Sequence, residues 1–230
     1  PANLAEVPAT LALDWFVLFL HPLMYAGSAT LTWALVLGIW LLLMLLPGLP
    51  APRRADPVAV VDAANCNGCR RCFVDCPYAA ITMHAHPSGR PGRQLARVDP
   101  DLCASCGICA GSCPSSTPFR SSAELVTGID MPQLTVGALR QRLRSGLQAM
   151  RVPRPIVVFG CAQGADATAL QGADLLVLPL ICTGQLPPSF VEYALRDGAA
   201  GVLVASCRDG GCAFRLGARW TAERLAGARE

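Results

Sequence analysis

One stretch limits the folds open to this chain more than any other: eight cysteines in two runs of a single design, between Cys66 and Cys113. The first run reads C-N-G-C-R-R-C-F-V-D-C-P over residues 66–77, and the second C-A-S-C-G-I-C-A-G-S-C-P over residues 103–114. Each is C-x-x-C-x-x-C-x-x-x-C-P. Three thiolates at this spacing sit on a tight turn, and the fourth, next to Pro, is carried away by the start of a short helix. Such turns bring backbone close to whatever the sulfurs hold, so Gly68 and Gly107 are expected where positive φ is cheap. Structural zinc sites also use C-x-x-C pairs, but not two identical four-Cys runs each closed by Pro. Disulfides would require an oxidising compartment.

The doubled run resembles the ligand pattern of bacterial two-cluster ferredoxins, without a departure in spacing. The resemblance implies two [4Fe–4S] clusters with crossed ligation. Cysteines 66, 69 and 72 would share one cluster with Cys113. Cysteines 103, 106 and 109 would share the other with Cys76. The flanking sequence suits a ferredoxin-like module over residues 53–120. Residues 58–61 read as an edge strand, and residues 80–84 and 94–98 as a hairpin across a polar loop. His84 and His86 are expected at the surface. So small a module buries little core, and the clusters themselves would hold it together.

Charge divides the chain. Hydrophobic residues make up 53% of it and charged residues 15%, yet no Asp, Glu, Arg or Lys stands between Trp15 and Pro52. Every basic residue is Arg, at or after Arg53. The lack of Lys removes a P-loop lysine, a Schiff-base lysine and a Lys general base. There is no G-x-G-x-x-G, so no dinucleotide site is recognisable. A dispersed net charge of +3 does not argue for nucleic acid. Residues 29–46 fit one membrane-spanning helix, stopped by Pro47, Gly48 and Pro50. Residues 15–26, interrupted by His21-Pro22, are too short to cross and suit an interfacial helix. A signal peptide would need a basic leader and a small-residue cleavage site, and neither is seen. A buried core hairpin is the other alternative. Arg53 and Arg54 follow the span, so the positive-inside rule places its carboxyl end, and all that follows, in the cytoplasm. That side also keeps cysteines reduced.

Pro1-Ala2-Asn3, then Pro8, then Asp14-Trp15-Phe16 and a helix resemble the carboxy-terminal part of cytochrome b in quinol-oxidising bc-type complexes. That family reads Pro-Ala-Asn-Pro, then Pro-Glu-Trp-Tyr before a span, with the Glu at the quinol-oxidation pocket. The position matching the Glu is Asp14. Leu4 and Leu13 replace prolines here, and Phe16 replaces Tyr. Asp14 also suits a plain helix N-cap at the membrane surface. His21, His84 and His86 form no haem-ligand pair, so any haem would belong to another chain or to sequence beyond this one.

Residues 132–150 carry Leu134, Leu139, Leu143 and Leu147 among Arg140, Arg142 and Arg144, an amphipathic helix whose arginines read as a solvated face. Beyond Pro155, apolar runs at 156–159, 175–178 and 202–205 alternate with helical patterns at 188–196 and 214–225. That predicts a small α/β domain with a parallel sheet over residues 121–230. Cys161, Cys182 and Cys207 follow the strands, with Cys212 five residues on. Strand carboxyl ends of an open α/β sheet converge on one crevice, so these four cysteines suit a tetrathiolate site. Unligated buried thiols are the alternative. Phe159-Gly160-Cys161, Ile181 to Gln185, residues 198–204 and Cys207-Arg208-Asp209-Gly210-Gly211-Cys212 resemble the domain that typifies the delta chain of methyl-viologen-reducing hydrogenases. That resemblance implies a [2Fe–2S] cluster on Cys161, Cys182, Cys207 and Cys212. The family usually has a second Cys three residues after the first, where Gly164 stands here.

The sequence therefore leads to a multidomain α+β and α/β protein: a membrane segment over residues 1–52, a two-cluster module over 53–120 and an α/β domain over 121–230. The expected function is membrane-anchored electron transfer without substrate chemistry of its own. The expected partners are a quinone-linked, cytochrome b-like membrane protein and a cytoplasmic flavoprotein, hydrogenase or heterodisulfide-reductase-like enzyme. Two alternatives remain. One is a hydrogenase- or heterodisulfide-reductase-associated electron carrier with the helix only as a tether. The other is a cysteine-based redox sensor, for which Arg208 beside Cys207 is the one hint.

Overall fold

A helix that is apolar on every face has no stripe to bury against a protein core, so it suits a lipid environment. The computed structural model places such a helix near the amino terminus. The structure describes residues 18–49, 57–89, 91–114, 125–170, 172–208 and 210–229. Two helices come first, α1 (Leu20–Ala26) and α2 (Ala29–Leu45). The Ser28 side chain caps α2 by accepting from the Leu31 N–H at 3.2 Å. The apolar helical stretch Ala29–Gly48 is, among the described residues, the one long and apolar enough to cross a membrane. Trp33 and Trp40 are each 59% exposed on it. The chain divides into two compact units, Pro1–Arg53 and Arg54–Glu230.

In the second unit, β1 (Val60–Val61) pairs antiparallel with β4 (Ile129–Asp130). Strands β2 (Ile81–Ala85) and β3 (Gln94–Val98) form an antiparallel hairpin in the register Ile81↔Val98 to Ala85↔Gln94. Two single-turn helices, α3 (Arg71–Val74) and α4 (Ile108–Gly111), carry the two cysteine runs. Ala59, Ile81, Ala96, Ile129 and Met131 pack with the cysteines into one apolar cluster. His84 is exposed. His86, expected at the surface, is only half-exposed, because its imidazole hydrogen-bonds to the Ala63 carbonyl across the module.

The rest is a three-stranded parallel sheet with strand order β6-β5-β7, where β5 is Ile156–Cys161, β6 Leu175–Leu180 and β7 Gly201–Ala205. Alternation along the strands assigns their faces. Val157, Phe159, Leu178 and Leu180 lie under α5 (Val136–Ala149) and α6 (Ser189–Arg196), with Leu139, Leu143, Phe190 and Tyr193 completing the core. Gly146 lets α5 approach the sheet, since a Cβ there would stand 2.8 Å from Leu176. Phe190 meets Phe159 and Tyr193 edge-on, with centroids 6.3 and 5.6 Å away. Arg140 departs from the expected solvated face. It is half-buried, pairs with Asp197 and lies 4.2 Å over the Tyr193 ring. Its long stem and flat guanidinium suit that stacked position. A last helix, α7 (Gly217–Leu225), packs against residues 183–185.

Leu143 is fully buried where α5 meets the sheet. Leu143→Ala leaves a cavity there, and about 2–5 kcal/mol of stability is expected to be lost. A denaturant midpoint unchanged from the parent chain would contradict this placement of α5.

Candidate iron–sulfur sites

Each cysteine run is a turn of unusual backbone. Gly68 has φ +72 and Gly107 φ +76, the left-handed conformation expected of them. Two further positions adopt it without glycine: Arg70 at φ +68 and Ser105 at φ +57. Aligned on the repeat, Gly68 matches Ser105 and Arg70 matches Gly107. The residues on either side of Cys69 and of Cys106 are therefore left-handed in both runs, and each run fills one of its two positions with glycine. Side chains in this region cost about 1–2 kcal/mol each, so the shared backbone is held by its surroundings. In the first run Asn67 accepts from the Cys69 N–H at 3.1 Å, and Arg93 donates to the Cys66 carbonyl at 3.2 Å.

The folded runs exchange their fourth cysteines. Cys66, Cys69, Cys72 and Cys113 line one hollow of about 310 Å³, together with Gly68, Met83, Ala96 and Ile129. Cys76, Cys103, Cys106 and Cys109 line a second, of about 330 Å³, with Ile81, Val98 and Met131 among its walls. Burial pushes the Cys72 thiol up to about 12, and its neighbours Cys69, Cys113 and Cys66 add to the shift. Burial likewise pushes Cys106 up to about 11, with Cys76 and Cys103 contributing. Cys109, entirely buried, is raised well above the usual thiol range, first by desolvation. Clustered thiols of this kind ionise readily only beside a cation.

The third group lies at the carboxyl ends of the parallel strands. Cys161 closes β5, and its Sγ is 3.6 Å from Cys207 Sγ. Two thiolates on one tetrahedral ion at about 2.3 Å stand at a similar separation. Cys182 and Cys212 meet over Gly217: a Cβ there would be 2.3 Å from Cys182 Sγ and 3.7 Å from Cys212 Sγ. Burial pushes Cys182 up to about 12, and Cys161, Cys212 and Cys106 reinforce the shift. Cys207 is also raised, by burial first. Gly164 lies beside this group, and its N–H donates to the Cys161 carbonyl at 3.0 Å.

These residues suit iron–sulfur groups. All twelve cysteines are free thiols, and they fall into three sets of four. Among the described residues no three His, Cys, Asp or Glu side chains converge as one metal ion would require. A cluster of several irons accepts wider thiolate spacing than a lone zinc. Buried hydroxyls also stand without partners beside the cysteines, at Ser105 and Thr183, and so does Arg224 Nε. Backbone N–H groups already point at sulfur, from Ala80 to Cys76 at 3.3 Å and from Gly184 to Cys182 at 3.4 Å. Asp14 and the rest of residues 1–17 lie outside the described residues, so the cytochrome b-like motif has no structural counterpart here.

The fold and the thiol groups define a class: an iron–sulfur electron-transfer chain related to hydrogenase subunits. Residues 65–117 match the family model described as 4Fe-4S dicluster domain. Residues 156–230 match the model described as methyl-viologen-reducing hydrogenase, delta subunit. One curated protein is similar as well, an iron-sulfur subunit of the F420-non-reducing hydrogenase vhc from Methanococcus voltae. It is 31% identical over 62 residues, which cover 25% of this chain and 43% of that protein. The chain thus spans less than half the length of that relative.

Sequence reasoning missed the pieces between the groups. Asp75 and Arg224, both buried, form an ion pair, and Tyr78 lies close to cysteines of two groups. Asp75 sits within the first motif, but nothing in the sequence links it to an Arg 149 residues away.

Gly68 offers a test of the turn geometry. A Cβ there would lie 2.5 Å from the Gln94 carbonyl oxygen, whereas Gly92, at φ +76, has open space around it. Gly68→Ala should destabilise the unit by more than about 1 kcal/mol. Gly92→Ala should cost visibly less in the same denaturation series, and equal losses would contradict the close approach at Gly68.

Proposed function

We propose that this chain is a membrane-anchored relay. Electrons pass along three iron–sulfur groups between a quinone-linked membrane partner and a cytoplasmic oxidoreductase. The observation that carries this reading is the gathering of twelve cysteines into three sets of four within one compact unit. Cys66, Cys69, Cys72 and Cys113 would hold one [4Fe–4S] cluster. Cys103, Cys106, Cys109 and Cys76 would hold the second, and Cys161, Cys182, Cys207 and Cys212 a [2Fe–2S] cluster. Bound clusters supply one-electron storage at potentials that the protein tunes through burial and hydrogen bonds to sulfur. The chain's own residues do the tuning. The apolar walls around Met83, Ile129 and Met131 exclude water, and the Ala80 and Gly184 N–H groups reach sulfur. The raised Cys207 thiol weighs against a redox sensor, which needs a stabilised thiolate. The hydrogenase relatives favour a second reading of the partner: a hydrogenase-like complex, with the helix only a tether.

The membrane part of the proposal rests on α2 and on Arg53-Arg54 after it. The span would end in the cytoplasm, and the iron–sulfur unit would lie there. The quinone link rests on the cytochrome b-like motif around Asp14, which would face the quinol from the outer side.

An iron and sulfide count on the full chain, purified without oxygen, tests the relay. About ten irons and ten sulfides per chain are expected for two [4Fe–4S] groups and one [2Fe–2S] group. One bound zinc with no third sulfide-containing group would overturn the third assignment. Crossed ligation is tested by Cys76→Ser, which should damage the cluster on Cys103, Cys106 and Cys109 and spare the other; the reverse loss contradicts it. Sidedness is tested in right-side-out vesicles, where added protease should leave residues after 57 intact. Cleavage of the cysteine-bearing unit from outside would reverse the orientation.

A further inference from the structure

The second and third thiol groups are not merely neighbours in one unit; their backbones interlock. Gly111 would place a Cβ 2.2 Å from the Gly184 carbonyl oxygen, and Gly184 a Cβ 2.6 Å from Ile108. Gly107 would place one 3.1 Å from the Gln185 side chain. Glycines on both sides therefore bring α4, which carries Cys109, against residues 182–185, which carry Cys182. Ile108 is fully buried there and clusters with Cys106 and Trp220, with Tyr78, Phe214 and Leu216 packed around them. Tyr78 is near enough to Cys106, Cys212 and Cys182 for all three to act on its phenol. The contact is apolar, fully packed and without a loop between the two groups.

One cation is buried in this seam. The Arg224 side chain is 2% exposed. It donates to the Gly184 carbonyl at 2.9 Å, to the Ile108 carbonyl at 3.5 Å and to Asp75 at 3.1 Å. Each acceptor lies one or two residues from a cysteine: Asp75 precedes Cys76, Ile108 precedes Cys109, and Gly184 follows Cys182 by two. Arg229 donates to the other Asp75 oxygen at 2.7 Å and stacks 4.1 Å over Trp220, fixing the carboxylate from the solvent side. A planar guanidinium can bridge three acceptors in this way; an ammonium cannot keep the same geometry.

We infer that the second four-Cys group and the Cys161–Cys212 group form one electron-transfer unit across this seam, with Arg224 as the positioning residue that also supplies positive charge to both. The inference rests on the reading that both groups hold clusters. It orders the relay: the Cys66–Cys113 group, then the Cys103–Cys109 group with Cys76, then the Cys182 side. One electron crosses the seam; the donor side is oxidised by one electron and the acceptor side reduced by one, and no bond or proton changes hands. Reduction adds negative charge on either side of Arg224, so its guanidinium favours the reduced form of both.

The test is a redox titration of the full cluster-loaded chain, followed by electron paramagnetic resonance. In the parent chain the reduced second and third groups should relax each other's spins. In Arg224→Leu the reduction equilibrium constants of those two groups should fall about tenfold, a shift of about 59 mV for one electron, while that of the Cys66–Cys113 group stays put. Arg224→Lys should keep the potentials near those of the parent and weaken the mutual relaxation. If Arg224→Leu does not fold, the parent spectrum and the Lys variant still decide. Independent relaxation in the parent, or potentials that ignore residue 224, would overturn the inference while leaving the relay standing. A chain with two [4Fe–4S] groups and no third cluster would overturn the third assignment and the seam together.

Discussion

The second unit depends on one arrangement: twelve thiols brought into three groups, most of them buried, where burial itself opposes their ionisation. Protonated thiols gain little from such crowding, and thiolates repel each other across a poorly solvated space. The arrangement makes physical sense beside positive iron, which would turn the mutual repulsion of Cys72 with Cys69, Cys113 and Cys66 into a ligand field. Much of the surrounding structure serves to hold sulfurs in place. The hairpin of β2 and β3 walls the first hollow, and the parallel sheet aims Cys161 at Cys207.

Backbone conformation is the second constraint. Left-handed residues flank Cys69 and Cys106 in both runs, but glycine occupies different positions in the two. Gly68 is needed because Gln94 lies against it, and Gly107 because Gln185 and Met131 do. Ser105 and Arg70 hold the same conformation where a side chain has room. The repeat is therefore a repeat of backbone shape, and the choice of glycine follows local crowding rather than the motif.

The seam around Arg224 joins what the sequence divides into two domains. Gly107, Gly111, Gly184 and Gly217 together remove the side chains that would keep α4, residues 182–185 and α7 apart. A buried ion pair adds little net stability, because desolvation offsets the attraction. Its value here is geometric: Asp75, Ile108 and Gly184 are fixed on one guanidinium. The pair thereby ties residues adjoining the cysteines of two groups.

Local patterns were legible without the fold. The spacing of cysteines, the apolar run of α2, the alternation in β5, β6 and β7 and the leucine stripe of α5 are all short-range signals, set by a turn, a helix period or a strand period. The grouping of Cys76 with Cys103 and of Cys113 with Cys66 could be expected from the motif, since its fourth cysteine leaves on a helix. The half-buried Arg140 and His86 could not, because each depends on a partner, Asp197 or Ala63, that only chain reversal supplies. The same holds for the seam. Nothing local marks Arg224 apart from Arg219 five residues earlier, yet one is buried against Asp75 and the other pairs with Glu223 at the surface. Burial of a charge depends on what packs over it, and that is decided by the whole chain rather than by any segment of it.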